Sequence, residues 1–313
     1  MKNPPKIAIV GATGLVGRTM LQVLLQRIPN ATISLYASHK SAGSPIVEGE
    51  NKYTVQLLST DNLSTEYDIA LFSAGSNISR QYAPLFQQKG TIVIDNSSCW
   101  RQDSSVPLVV PQVNSQSLKN HKGIIANPNC TTIQCVVALN SLQKTFGIER
   151  IIYNSYQSAS GAGANAIMQL QRQYGCYDNI IPHIDDFCED GYTKEEHKMI
   201  FETQKIFEKN IATTATCVRV PIQYGHGVSI NVQLSKKTSF EEIDQILKQD
   251  RNITYYNDNT YPTPKDAKGK DNVLVGRLRK DNTHDNCYNL WVVADNIRKG
   301  AATNAVEIAE ILL

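Results

Sequence analysis

A strong charge of either sign is what this chain most plainly lacks. Its 31 Lys and Arg offset 29 Asp and Glu, a formal net charge of +2 over 313 residues. With no Lys/Arg run either, the balance excludes the basic face of a nucleic-acid binder. No apolar stretch is long enough to cross a bilayer. Residues 1–6 lead directly into Ile7-Ala8-Ile9-Val10, without the basic and apolar pattern of a secretory leader. Low complexity is absent, so disorder is not expected. The cysteines, at 99, 130, 135, 176, 188, 217 and 287, make neither CxxC pairs nor a small disulfide scaffold, and no metal-ligating set emerges from them. A soluble cytoplasmic chain is expected, and its length with 41% hydrophobic residues favours two folded domains over one.

What is present is most concentrated in Asn127-Pro128-Asn129-Cys130-Thr131-Thr132. One cysteine stands between a turn and an apolar run, 133–139, that reads as a helix. A thiolate at a helix N-terminus is favoured by the helix dipole and by unpaired backbone N–H groups. The same donors can receive the oxyanion of a tetrahedral adduct. A nucleophile for an acyl carbon and a buried structural cysteine both fit the hexapeptide. Cys135 is turned to another face of that helix and is expected to be inert.

Residues 6–10 read as a short apolar strand, and Gly11-Ala12-Thr13-Gly14-Leu15-Val16-Gly17 follows at once, before an amphipathic helix to about Gln26. Glycine is needed where the chain turns sharply, where backbone approaches a pyrophosphate, and where helix packs on strand. The phosphates would sit at the helix N-terminus. The spacing is GxxGxxG, not the commoner GxGxxG. A second strand, 32–37, ends in Ser38-His39-Lys40-Ser41. An NAD site usually carries an acidic residue there for the ribose hydroxyls. Hydroxyls and a cation suit a 2′-phosphate instead, which favours NADP over an ordinary polar loop. Further strands at 68–73, 91–95, 108–110 and 123–126, with helices between, imply a mainly parallel sheet with helices on both faces. Ser73-Ala74-Gly75 and Asn96-Ser97-Ser98 follow strands at the carboxyl edge, where such sheets bind ligands, although plain turns look the same.

Beyond about residue 129 the pattern changes. A strand at 151–157 ends in Gln157-Ser158-Ala159-Ser160-Gly161-Ala162-Gly163. Alternating strands at 213–222 and 228–234 suggest an antiparallel or mixed sheet with one face covered. The expected organisation is a nucleotide domain over 1–129 and a second domain over 130–295. A last helix, about 299–313 within a returning segment 296–313, would pack back on the first domain. Arg219 and His226 flank a strand end. Histidine between two glycines can serve as a general acid–base, or simply be solvated in a turn. Arg219 offers a fork to a carboxylate, or a structural ion pair. Glu195 and Lys198 share one face of a helix over 194–207, as a substrate clamp or a surface pair. Arg101 suits a phosphate or a loop.

Taken together these segments resemble aspartate-semialdehyde dehydrogenases along nearly the whole chain. The motifs that carry the resemblance are GATGLVG at 11–17, DNSSCWR at 95–101, NPNCTT at 127–132, SYQSASGAG at 155–163, EEHKM at 195–199, RVPIQYGH at 219–226, VGRLRKD at 275–281 and DNIRKGAATNAVEIAE at 295–310. The resemblance implies an α/β chain: an N-terminal Rossmann-type NADP-binding domain, then an α+β catalytic and dimerisation domain with a mixed sheet, usually in a homodimer. It assigns Cys130 as nucleophile, Gln157 to position the acyl group and His226 as acid–base catalyst. Arg219 would hold the substrate carboxylate, Glu195 its amino group, and Arg101 with Lys198 its phosphate. Gly11, Thr13, Gly14, Leu15, Val16, Ser38, Lys40, Ser41, Ser73, Gly75, Asn96, Ser160, Gly161 and Asn296 would meet NADP.

The implied reaction is NADPH-dependent reductive dephosphorylation of L-4-aspartyl phosphate to L-aspartate 4-semialdehyde, through a Cys130 thioester, on the way to lysine, threonine and methionine. Lys40 stands where many relatives carry arginine, and Gly227-Val228 after His226 replaces residues that are often polar. The nearest rival is N-acetyl-γ-glutamyl-phosphate reductase, whose acylated substrate would offer Glu195 no ammonium. A catalytically silent dinucleotide-binding regulator would have no reason to keep Cys130, Gln157, Arg219 and His226 together.

Overall fold

Uninterrupted runs of β-branched and other apolar residues become central strands of a parallel sheet, which is buried on both faces. The chain is described from a computed structural model that covers residues 3–63 and 66–313; Met1 and Lys2, at the head of the N-terminal stretch, lie outside the described residues. It divides into two units, one running up to Pro128 with Ala301–Leu313 added, the other Asn129–Gly300.

The first unit contains β1 (Lys6–Val10), β2 (Thr32–Ala37), β3 (Pro45–Glu48), β4 (Asn51–Thr54), β5 (Gln56–Leu57), β6 (Ile69–Phe72), β7 (Ile92–Asp95) and β8 (Ile124–Ala126). Six of these form one sheet in the order β5-β2-β1-β6-β7-β8, parallel throughout. The remaining pair, β3 and β4, is a separate antiparallel hairpin. Its helices are α1 (Leu15–Arg27), α2 (Ser76–Gln88), α3 (Pro111–Asn114) and the C-terminal helix Asn304–Leu312. Ala305, Val306, Ile308 and Ala309 of that last helix join Ile7, Ile9, Leu21 and Leu24 in one buried cluster. Arg27 ties α1 to the same helix through Glu310 at 2.6 Å.

The expected strand at 108–110 is not formed: Leu108 makes only an isolated parallel bridge to Ala126. Pro107 and Pro111 bracket this stretch and cannot donate ladder bonds, so it is too short to pair as a strand. The last helix also departs from expectation. A π-helical turn, Arg298–Thr303, precedes the α-helix.

The second unit holds α4 (Cys130–Phe146), β9 (Ile148–Gln157), α5 (Ala164–Gln171), α6 (Lys194–Phe207), β10 (Ala212–Arg219), β11 (His226–Leu234), α7 (Phe240–Gln249), β12 (Ile253–Tyr255), α8 (Pro264–Ala267), β13 (Val273–Lys280) and β14 (Cys287–Ala294). Its sheet order is β10-β9-β11-β14-β13-β12. The outer pairs β9–β10 and β12–β13 are parallel and the inner ones antiparallel, so the sheet is mixed. Helix α4 is buried along its length, with Ile133, Val136, Val137 and Leu139 at 0% exposure, which anchors the residue at its N-terminus. Strand β10 stops at Arg219, before Pro221, instead of reaching residue 222. His226 opens β11 and is fully buried, which rules out the solvated turn histidine.

Candidate active site

Cys130 is the first residue of α4, and Asn129 fixes its position. Asn129 caps the helix: its Oδ1 accepts from Thr131 N–H at 2.9 Å and Thr132 N–H at 3.3 Å. Its Nδ2 donates to Glu195 Oε1 at 2.9 Å, and its backbone N–H donates to the buried Glu202 Oε2 at 2.6 Å. The Cys130 side chain is half-buried, and Gly300 lies against it; a Cβ on Gly300 would stand 2.7 Å from Cys130 Cβ. One expectation changes here. The N–H groups of Thr131 and Thr132 are engaged by the cap, so they are not offered to an oxyanion.

Helix α6 starts where Thr193 and Glu196 form a reciprocal capping box. That start sets Glu195, Lys198 and Glu202 three and four residues apart, along one side of the helix. Glu195 is buried and accepts from Asn129, from Gln157 Nε2 at 3.2 Å and from Lys198 Nζ at 3.1 Å. Glu195 and Lys198 are therefore a pair within this cluster. Lys198 also reaches Asp185 Oδ2 at 2.7 Å. Burial alone would lower the Lys198 ammonium, but Glu195 and Asp185 together raise it above its ordinary value.

Strand register assembles the remaining groups. Arg219 on β10 lies level with Gln157 on β9, and Gly227 on β11 lies level with Tyr156. One step along that ladder, His226 comes beside Gln157, so three polar side chains share one end of three neighbouring strands. Arg219 Nη1 donates to Ser158 O at 2.5 Å. Gly161 makes room for two of them: a Cβ there would stand 3.0 Å from Arg219 Nη1 and 3.2 Å from His226 Nε2.

His226 Nδ1 accepts the Ser158 backbone N–H at 3.1 Å. A backbone N–H can only donate, which favours the proton of the neutral imidazole on Nε2, while a bond to the Gly225 backbone pulls the other way. Nε2 is buried without a hydrogen-bond partner among the described residues. Burial first, and then the Arg219 charge, push the imidazole down to about 3. Asn296 Oδ1 gathers Ser158 Oγ at 3.2 Å, Ser160 Oγ at 3.0 Å and Gly225 N–H at 3.0 Å, while its Nδ2 is buried and unpartnered among the described residues.

The first unit carries the glycine turn. Gly11 has φ +87°, and a Cβ on it would stand 2.8 Å from the Ser73 carbonyl carbon. Gly11 and Ala12 donate their N–H groups to Tyr36 O at 2.9 and 3.1 Å. Gly14 caps α1 without a side-chain bond, and Leu15 and Val16 form its half-buried first turn. The first-turn N–H groups of α1, which have no partner within the helix, suit a pyrophosphate. Thr13 Oγ1 meets Ser41 Oγ at 3.5 Å, beside exposed Ser38 and Lys40. No acidic side chain stands at this turn, which fits a 2′-phosphate. Ser73 Oγ bonds Val10 O and Gly11 O, and Gly75 has φ +85° with open space at its Cβ position. Asn96 accepts at its backbone carbonyl from Arg101 Nη2 at 2.9 Å, and the buried Arg101 also donates Nε to Asn127 O at 2.9 Å.

Sequence reading missed Asn129, Ser158, Asp185, Glu202 and Gly300. Only Asn129 had a local signal, as an N-cap residue before a helix. Among the described residues no cluster of His, Cys, Asp or Glu could hold a metal, and no helix is long and apolar enough to cross a membrane.

A dehydrogenase that works through an acyl-enzyme needs a dinucleotide turn and a nucleophile with buried polar groups around it. One unit carries a glycine turn of that kind and the other a capped cysteine beside buried polar groups, which fits a Rossmann-type oxidoreductase. Family models agree: residues 6–121 match the semialdehyde dehydrogenase NAD-binding domain, and 139–299 the semialdehyde dehydrogenase dimerisation domain. The aspartate-semialdehyde dehydrogenase of Aquifex aeolicus is 48% identical, with 98% of each chain covered. Aspartate-semialdehyde dehydrogenase 2 of Vibrio cholerae is 45% identical, over 100% of this chain and 99% of that one. The crystal structure of Vibrio cholerae aspartate-semialdehyde dehydrogenase II complexed with ASA superposes with a TM-score of 0.95 at 44% identity, covering 99% of this chain and 98% of that one. That of the Candida albicans enzyme with NADP gives 0.80 at 26% identity, covering 99% and 98%. The chain belongs to the aspartate-semialdehyde dehydrogenase family.

Proposed function

We propose that this chain reduces L-4-aspartyl phosphate to L-aspartate 4-semialdehyde with NADPH, reversibly, and that Cys130 carries the acyl group. The reaction serves the aspartate-family amino acids lysine, threonine and methionine. The observation that carries the residue assignments is the gathering of Gln157, Glu195, Lys198, Arg219 and His226 in the unit that begins with the Asn129-capped helix of Cys130.

In this reading Arg219 holds the substrate carboxylate with its fork, and Glu195 holds the ammonium. Arg101 and Lys198 take the phosphoryl group. The Cys130 thiolate attacks the acyl carbon; the S–C bond forms, the C–O bond to phosphate breaks, and phosphate leaves with that electron pair. A thioester remains on Cys130. Bound NADPH supplies the hydride that reduces it. The resulting tetrahedral adduct collapses, expelling the Cys130 thiolate and leaving the aldehyde. Sulfur donates into a carbonyl less than oxygen does, so a thioester accepts hydride where a serine ester would resist.

His226 enters this sequence as a neutral donor. In this reading its Nε2–H holds the acyl oxygen and the oxyanion that forms on attack and on reduction. Gln157 helps position the acyl group. An acid–base role for His226 needs the other tautomer, with Nδ1–H turned to Ser158 Oγ at 3.2 Å, and the Ser158 N–H opposes it. The glycine turn, Ser38, Lys40, Ser41, Ser73, Gly75, Asn96, Ser160, Gly161 and Asn296 bind NADP. The enzyme works in the cytoplasm as a homodimer, through the unit matched to the dimerisation domain.

The test is phosphate-dependent reduction of NADP by L-aspartate 4-semialdehyde, for wild type and Cys130→Ala. Activity that requires phosphate and disappears in the variant supports the reaction and its nucleophile. Turnover only with N-acetyl-glutamate semialdehyde would move the chain to the sister reductase.

A further inference from the structure

Lys198 receives the phosphoryl group in the proposed reaction, and the role inferred here for its neighbour Asp185 rests on that assignment. The Lys198 ammonium is already shared, with Asp185 Oδ2 at 2.7 Å and Glu195 Oε2 at 3.1 Å. Lys198 thus lies between two carboxylates, one of which also feels Lys194, and both compete with a phosphoryl dianion for its ammonium. One carboxylate must yield when the anion arrives. Glu195 is held: its side chain is 8% exposed, and its other oxygen takes Asn129 and Gln157.

Asp185 is held less: apart from Lys198 it accepts the Asp186 backbone N–H on Oδ1 at 3.0 Å. Its side chain is 36% exposed, and it belongs to the loop that joins α5 to α6. The loop is anchored without it. Ile181 exchanges backbone bonds with Arg219 at 3.0 and 2.8 Å. Asp186 pairs with Lys194 at 2.7 Å and accepts the Lys194 backbone N–H at 2.9 Å. The Asp185 carboxylate can therefore swing off Lys198 while both anchors stay in place.

We propose that Asp185 is the resident counter-anion of the phosphoryl subsite. It holds Lys198 while the subsite is empty, the phosphoryl group displaces it, and its return to Lys198 favours release of product phosphate. Asp185 thus sets the affinity for phosphate without touching the reacting atoms.

The experiment is initial-rate kinetics of the phosphate-dependent oxidation of L-aspartate 4-semialdehyde, with phosphate varied. Wild type is compared with Asp185→Asn, Asp186→Asn and Lys198→Ala. Asp185 has φ +69°, a backbone that asparagine also tolerates, so Asp185→Asn removes the charge and little else. KM for phosphate is expected to fall about threefold to tenfold in Asp185→Asn, as suits loss of a partly exposed charge partner, with kcat within about twofold. Asp186→Asn, whose partner is Lys194, is expected to leave both constants in place.

If Asp185→Asn leaves KM for phosphate unchanged or raises it, while Lys198→Ala raises it, the inference is overturned and the assignment of Lys198 stands. In the second case Asp185 orients Lys198 instead of competing for it. If Lys198→Ala leaves KM for phosphate unchanged, the assignment of Lys198 itself fails, and the inference fails with it.

Discussion

Ser158 gives its backbone N–H to Nδ1 of His226 at 3.1 Å, and the histidine is fully buried. The imidazole is held neutral, down to about 3, against an ordinary value of 6.5. Above pH 6.5 it is neutral both folded and unfolded, and costs nothing. As pH falls from 6.5 toward 3 the unfolded chain takes up a proton that the folded one refuses, so stability is lost through that window. Urea unfolding at pH 7 and pH 5 should show His226→Asn losing about 1–2 kcal/mol less than wild type between the two. Equal losses would mean that the folded imidazole titrates normally. The same burial predicts no limb near pH 6.5 from His226 in kcat/KM.

Glu202 is the residue on which the position of Cys130 depends at longest reach. It accepts the backbone N–H of Asn129, 73 residues away, in a site where water does not compete. Glu202→Ala strands that donor and should cost about 1–3 kcal/mol of stability. Glu202→Gln keeps an acceptor and should cost less, and alkylation of Cys130 should slow in the alanine variant more than in the glutamine one. Thermal unfolding and iodoacetamide kinetics read the two effects separately.

Cys135 should resist the same alkylation. It is fully buried, and burial raises its thiol well above the ordinary value, with Cys217 and Cys130 adding to the effect. Peptide mapping after brief labelling should find Cys130 modified and Cys135 untouched. Equal labelling rates would show that α4 opens far more readily than its packing implies.

Local patterns made part of this legible beforehand. The glycine turn, the capped cysteine helix and α6 each depend on residues within a few positions of one another, so spacing reports them. Stretch 108–110 has the composition of a strand but lies between two prolines, and tertiary context left it a single bridge. The hairpin of β3 and β4 escaped notice because its strands are short and largely exposed. Ser158, Asp185 and Glu202 act on partners 68, 13 and 73 residues away, and no periodicity encodes such distances. His226 looked like a turn residue because flanking glycines suggest exposure. Here Gly227 instead admits Trp291, whose ring would lie 2.3 Å from an added Cβ.

Gly300 gives the sharpest steric test. It lies in the π-helical turn Arg298–Thr303, and a Cβ on it would stand 2.7 Å from Cys130 Cβ and 3.1 Å from Cys130 Cα. The nearest atoms are Cys130 Cβ and its backbone, so nothing flexible can move aside. Relief must come from shifting the start of α4 or from unwinding the turn. Either displaces the sulfur of Cys130, the proposed nucleophile, and about 1 Å of misplacement can cost on the order of 100-fold in rate. Gly300→Ala should lower kcat by about that factor, with overpacking costing about 1–3 kcal/mol of stability. NADPH affinity, measured by fluorescence titration, should change far less. A variant with near-normal kcat would mean that the turn and the cysteine are not packed as described.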